Sequence, residues 1–136
     1  MTDLSPEGVV RSYFEALDAR DFARAAGPIA EHCEWTSIAS DKTFFGHAAI
    51  VAGLHEFVNA FPDWHVEVER VVCAGQVVVA EWITSGTFRN EFRGRKPNGR
   101  RFKRRGCAVA EVAGGQIVRY RDYYDRLTLL EQLDMK

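Results

Sequence analysis

Hydrophobic positions recur at helical spacing in the first half of the chain and at alternate positions in the second. Val9, Val10, Tyr13, Phe14 and Leu17 follow Ser5-Pro6-Glu7, which supplies an N-cap, a proline at the first helical position and an acid in the first turn. A short second helix is expected from Asp21 to about Ala26, where Gly27-Pro28 interrupts it, with a further helical stretch before Cys33. Glu34 to Ile38 reads as a short strand. Ile50, Leu54, Phe57, Val58 and Phe61 mark a third helix over Gly46 to Phe61, stopped by Pro62. Beyond it the period changes to two. Trp64 to Cys73, Gln76 to about Phe92, Arg101 to Val112 and Gln116 to Asp125 are expected as the strands of an antiparallel meander. Leu129, Leu130 and Leu133 predict a closing helical turn over Leu127 to Leu133. Helices first and strands afterwards predict one α+β domain over 1–136, a curled antiparallel sheet wrapped around three N-terminal helices.

The last strand departs from this pattern at one position. Alternation places Val118, Tyr120, Asp122 and Tyr124 on an inward face, and Ile117, Arg119, Arg121, Tyr123 and Asp125 on the other. An acid on an apolar inward face must be paired, hydrogen-bonded or protonated, because an isolated buried charge is too costly. Such groups concentrate at active sites, so Asp122 is the leading catalytic candidate, with a satisfied structural carboxylate as the plainer alternative. A three-residue hairpin loop with Gly115 in the left-handed conformation pairs Val112 with Gln116, Ala108 with Tyr120 and Gly106 with Asp122; a two-residue loop flips that register. Gly106, Ala108 and Ala110 then leave unfilled volume inside the curl, as a ligand pocket needs. Trp35 and Tyr120 are expected pocket walls, and Tyr13 lies on the apolar stripe of the first helix.

Composition adds bounds. With 46% hydrophobic and 12% aromatic residues, the 136-residue chain holds enough apolar material for a real core. No stretch approaches a membrane span, and the first residues show neither a basic n-region nor an apolar h-region, so a soluble cytoplasmic protein is expected. Cys33, Cys73 and Cys107 form no CxxC arrangement, and His32, His47, His55 and His65 present no paired-ligand spacing. Neither a disulfide framework, a metal site nor another cofactor is expected. The net charge of −1 hides a cationic run: Arg93, Arg95, Lys96, Arg100, Arg101, Lys103, Arg104 and Arg105. A solvated loop and strand face is the plain account. A nucleic-acid platform wants interleaved aromatics, and only Phe92 and Phe102 lie nearby, so no nucleic-acid partner is expected. The third possibility is that one or two of these arginines rim a pocket for an anionic substrate. Asp63, after Pro62, is expected to be structural, and Asp125 to cap the closing helix.

Three N-terminal helices, Phe61-Pro62-Asp63-Trp64 at the start of the first long strand, Gly86-Thr87-Phe88-Arg89-Asn90-Glu91-Phe92, Pro97-Asn98-Gly99-Arg100, and Gly115-Gln116-Ile117 leading to Asp122 form an ordered set. Over essentially the whole chain this set resembles the SnoaL-like polyketide cyclases of the NTF2-like superfamily. The resemblance implies a cone-shaped α+β barrel whose mouth holds a small hydrophobic metabolite, commonly in a homodimer, without fixing a reaction. In the SnoaL-type aldol cyclases an aspartate on the last strand is general base toward a carbon acid, and Asp122 falls at the matching position. Their partner histidine on the preceding strand falls near Ala108.

From Arg89 to Asp125 the chain also resembles the limonene epoxide hydrolases. Their Arg-x-Asp pair corresponds to Arg89-Asn90-Glu91, and the Asp of their Arg-Asp-Tyr-Phe-Asp to Asp122. Arg89 and Glu91 on one strand face would let a guanidinium between two carboxylates hold one ionised and the other protonated, so that one acid activates water and the other protonates the opening epoxide. The water-positioning Tyr and Asn of that family correspond to Trp35 and Ser37. In the ketosteroid isomerase branch, Tyr13 matches the oxyanion tyrosine, while the base and acid positions fall on Ser37 and Ala108. The expected function is a cofactor-independent acid–base enzyme with cyclase-, isomerase- or hydrolase-type chemistry, Asp122 being the base assisted by Glu91 and Arg89. The alternatives are an epoxide hydrolase using that triad, and a non-catalytic binding or dimerisation module.

Overall fold

The computed structural model describes residues 3–135. Helix α1 (Pro6–Asp18) begins where Ser5 Oγ accepts from the Gly8 N–H, and it buries Val9, Val10, Tyr13, Phe14, Ala16 and Leu17. Helix α2 (Phe22–Ala26) is capped by Asp21, which accepts from the Arg24 N–H. Both match the expected elements. The segment before Cys33 does not: it is the start of strand β1 (Ile29–Ser37), not a helix. Its backbone is drawn into a parallel ladder with the last strand, where Ile117 N–H donates to the Pro28 carbonyl at 2.7 Å. A four-residue strand β2 (Lys42–Phe45) pairs back on β1, and helix α3 (His47–Ala60) comes after Gly46 at φ 88°.

The meander is present as β3 (His65–Ala74), β4 (Val77–Thr87), β5 (Arg101–Ala113) and β6 (Gln116–Tyr124), and α4 (Arg126–Gln132) closes the chain. The strand order is β2-β1-β6-β5-β4-β3. Every neighbouring pair is antiparallel except β1 with β6. β6 is the last strand of the meander, so β1 gains its parallel partner from the far end of the sequence. The result is a mixed, curled and unclosed six-strand sheet with helices over its concave face. Alternation along β4 and β5 buries Val78, Ala80, Trp82 and Thr84 and, opposite them, Phe102, Ala108, Ala110 and Val112 on that face. Phe57, Phe61, Phe88, Phe92 and Phe102 form an aromatic cluster at one end of the core.

Two further expectations need correction. Strand β4 stops at Thr87 instead of running to Phe92. The Thr87 N–H and hydroxyl both donate to Asp63, at 2.7 and 2.6 Å, and the Arg89 and Asn90 N–H groups both turn to the Ala60 carbonyl at the end of α3. The backbone there leaves the sheet for a helix terminus, and alternation no longer governs the residues beyond Thr87. The β5–β6 hairpin turns on two residues, Gly114 and Gly115, both at positive φ, so Ala113 pairs with Gln116 and Val112 with Ile117. A bulge between Glu111 and Val112 leaves Val118 as the extra residue. Ile117 is therefore buried, contrary to the simple alternation, and Asp122 lies opposite Ala108 and Tyr124 opposite Gly106. The bulge restores the inward parity that the shorter loop would have flipped.

Candidate active site

Below the curl lies a cavity of about 360 Å³, within the usual size range for small-ligand sites. Its walls are mostly aromatic and aliphatic. Tyr13 from α1, Trp35 from β1 and Tyr120 from β6 pack together, Trp35 stacked on Tyr120 with centroids 3.7 Å apart and Tyr13 edge-on to both. Trp64 and Trp82 line it as well, and the indole N–H of each is buried without a hydrogen-bond partner among the described residues.

Among the described residues, Asp122 is the one carboxylate that lines the cavity. Two ladders fix it: β6 pairs with β1 so that Asp122 faces Ser37, and with β5 so that it faces Ala108, while the Asp122 carbonyl accepts from the Ile38 N–H at 3.0 Å. A methyl group on one side and a hydroxyl on the other give the carboxylate little to replace water. Oδ1 is buried with no hydrogen-bond partner among the described residues. Burial accordingly pushes its pKa up to about 6, against the opposing pull of the Arg104 guanidinium and the Ser37 hydroxyl.

Arg104 is the counter-charge. Alternation from Ala108 and Gly106 brings it to the inward face of β5, where its Nε donates to Thr84 Oγ1 at 3.1 Å and its guanidinium lies 3.9 Å from the Tyr124 ring centroid and 5.5 Å from that of Trp82. Burial lowers its pKa, and the neighbouring Tyr124 and Asp122 counter that loss. Ser37 Oγ sits 3.4 Å from Tyr124 Oη, so the serine, the tyrosine, the arginine and the acid form one polar island in an apolar wall. Tyr13 and Tyr120 are fully buried, and desolvation first, then the Asp122 charge for Tyr13, raises both phenols far above their ordinary range. Both therefore remain protonated donors at any working pH.

The sequence-predicted residues divide cleanly. Asp122, Tyr13, Trp35, Ser37 and Tyr120 all line the cavity, whereas Ala108, also expected there, is buried opposite Asp122 on β5 and is not among the lining residues. Arg89 and Glu91 do not join them. Both are exposed on the loop beyond Thr87 and neither lines the cavity, because β4 ends before alternation can place them beside Asp122. Arg104 is the site residue that sequence reasoning misses, hidden in the cationic run. The run in fact splits: Arg101, Lys103 and Arg105 face solvent, Arg104 points inward, and Arg93 and Arg95 stand at the cavity mouth. A signal for it exists, since Phe102, Arg104, Gly106, Ala108 and Ala110 share one parity.

The SnoaL-like polyketide cyclase family model matches residues 7–133. No curated protein matches the sequence. Among solved structures, a protein from Jannaschia sp. CCS1 assigned as a SnoaL-like polyketide cyclase has a TM-score of 0.85 at 20% identity, covering 96% of this chain and 92% of that one. IdmH from Streptomyces antibioticus, assigned as a polyketide cyclase, has a TM-score of 0.80 at 22% identity, covering 96% and 99%. A protein with a ketosteroid isomerase-like fold from Catenulispora acidiphila DSM 44928, in complex with trimethylamine, has a TM-score of 0.79 at 18% identity, covering 94% and 93%. At these identities the neighbours establish the NTF2/ketosteroid isomerase-like fold. The match over 7–133 goes further: the chain belongs to the SnoaL-like polyketide cyclase family.

Proposed function

We propose that the protein is a cofactor-independent cyclase or isomerase in which Asp122 removes a proton from carbon next to a carbonyl of a small, largely apolar metabolite. The observation that carries this is the placement of Asp122: a cavity-lining carboxylate with one oxygen left without a partner among the described residues, its pKa pushed up to about 6 by burial. A base of that strength is mostly ionised near neutrality yet more basic than an ordinary carboxylate, and it meets its proton in a cavity with largely apolar walls. Proton removal leaves an enolate. Arg104, pinned by Thr84 and Tyr124, supplies positive charge on the same wall, and the Tyr13 and Tyr120 phenols supply neutral donors. The same enolate leads to aldol ring closure when a second carbonyl is at hand, or to isomerisation when the proton returns at another carbon. The apolar walls fit a hydrophobic substrate, and the Trp64 and Trp82 indole N–H groups, without a partner among the described residues, fit one with acceptor oxygens.

Epoxide hydrolysis needs a second acid to protonate the opening ring. Glu91 lies outside the cavity, so proton transfer at carbon is the better supported chemistry. Exchange of the α-proton of aryl β-keto esters in D₂O, followed by NMR, tests the base independently of the final product. Wild-type protein is expected to accelerate exchange and Asp122→Asn to lose about 10²–10⁴-fold of that rate. Equal rates for the two proteins would sink the assignment, and a cavity that binds without turnover would then be the better description.

A further inference from the structure

The mouth of the cavity differs in charge from the rest of the chain. Among the described residues, five cationic side chains line the cavity, Lys42, Arg93, Arg95, Arg104 and Arg126, against the single carboxylate of Asp122, in a protein whose net charge is −1. Arg104 is deep. The other four are exposed and come from separate elements: Lys42 from β2, Arg93 and Arg95 from the β4–β5 loop, and Arg126 from the first position of α4. Arg93 is paired with Glu56 at 2.5 Å. Lys42, Arg95 and Arg126 have no carboxylate partner among the described residues; Lys42 lies over the Phe44 ring at 5.1 Å, and Arg95 only reaches the Met135 carbonyl at 3.4 Å. Elsewhere on the surface, arginines such as Arg11, Arg24, Arg70 and Arg119 do have carboxylate partners. Unpartnered cations converging on one opening raise the local concentration of anions there and hold an anionic group that enters.

We propose that the ligand of this cavity is amphipathic, its apolar body filling the aromatic interior and an anionic group, carboxylate or phosphate, seated at the mouth among Lys42, Arg95 and Arg126. This deepens the proposed function by assigning the substrate a charged end, and it rests on the cavity being the substrate site. The depth of the pocket separates the two ends: the charge stays in water with its partners while the reacting carbon reaches Asp122. A neutral molecule of the same apolar shape gains only the interior contacts.

The probes are 8-anilinonaphthalene-1-sulfonate and N-phenyl-1-naphthylamine, which share an apolar body and differ by the anion, titrated by fluorescence at low salt. Wild type is expected to bind the sulfonate at least about tenfold tighter, which is about 1.4 kcal/mol. The triple variant Lys42→Gln, Arg95→Gln, Arg126→Gln is expected to bring that preference below about threefold with the neutral probe unchanged. Raising the salt from about 0.01 to about 1 M shortens the Debye length from about 30 to about 3 Å and should do the same to the wild type, without any substitution. Dodecanoate and dodecyl phosphate then compete with the sulfonate in separate arms, and whichever displaces it better than dodecanol identifies the anion. Equal affinity for both probes, binding of neither, or a preference that survives both the variant and the salt would overturn the proposal. Asp122→Asn separates it from the catalytic assignment: that variant should lose proton exchange and keep the sulfonate preference.

Discussion

Two aspartates in this fold, Asp63 at the α3–β3 turn and Asp122 at the cavity floor, carry the same side chain and are held in opposite states. Asp63 accepts from both the Thr87 N–H and the Thr87 hydroxyl and has Arg101 nearby; these contacts outweigh its burial and hold its pKa below the usual range. Asp122 has the Ser37 hydroxyl beside it, a methyl on the opposite strand, the Arg104 guanidinium as its counter-charge and an oxygen with no hydrogen-bond partner among the described residues, and burial pushes it up to about 6. A carboxylate whose lone pairs are spoken for is a staple. One whose lone pairs are left open inside an apolar cavity is destabilising to the fold, and a group kept at such a cost is the one to suspect of chemistry.

The largest test of that contrast is catalytic. Asp63→Ala should leave α-proton exchange within about threefold of wild type, while Asp122→Asn loses about two to four orders of magnitude. Comparable losses from both substitutions would remove the distinction. Stability should move the other way. Removing Asp63 strips two hydrogen bonds from the start of the β4–β5 loop and should cost about 1–3 kcal/mol in urea unfolding at pH 7. For Asp122 the folded pKa is raised above the ordinary 3.8, so its contribution is fully present below about pH 4 and is lost as the pH rises through 6. Asp122→Asn should therefore be more stable than wild type at pH 8, by roughly 1–3 kcal/mol, with the gain gone at pH 4. A gain that does not shrink with falling pH would show that ionisation is not its source.

The two sites also show what local pattern can and cannot reveal. Asp122 is legible because strand alternation is a strong, short-range signal, and an acid among Tyr120, Tyr124 and Val118 violates it visibly. Even the bulge at Glu111/Val112, which no local pattern announces, preserves its facing, because loop shortening and bulge each shift the parity by one. Its partner is harder to read. Arg89 and Glu91 fit the alternation on paper, but the strand ends where Thr87 meets Asp63 and where Arg89 and Asn90 meet Ala60, contacts 24 to 30 residues distant in sequence. Arg104 is obscured by the cations around it, although its parity with Ala108 marks it as inward. The start of β1 reads as helix because its strand character comes from pairing with β6, more than 80 residues later. Elements that long-range pairing creates leave little trace in their own residues.

Arg104 and Ser37 provide the finer tests, because they should move the pKa of Asp122 in the same direction by different amounts. Arg104→Met keeps much of the side-chain length and deletes the charge, so the midpoint of the pH–rate profile should rise from about 6 by one unit or more. The sign comes from the cation's favouring the ionised acid: without it, protons leave at higher pH and the active base appears later in the titration.

Ser37→Ala removes only a neutral donor. Its hydroxyl is the smaller of the two influences that favour ionisation, and it is shared with Tyr124, whose Oη lies 3.4 Å away. The midpoint should still rise, by less than one unit, with the plateau rate at pH 8 close to wild type because the base is ionised there in both proteins. Direct titration of the Asp122 side-chain carbon by NMR would report the same order, wild type lowest, Ser37→Ala next and Arg104→Met highest. If the serine variant instead moved the midpoint further than the arginine variant, Asp122 would be held by its ladder neighbour on β1 and not by the charge on β5, and the assignment of Arg104 as the counter-ion of the site would fall with it.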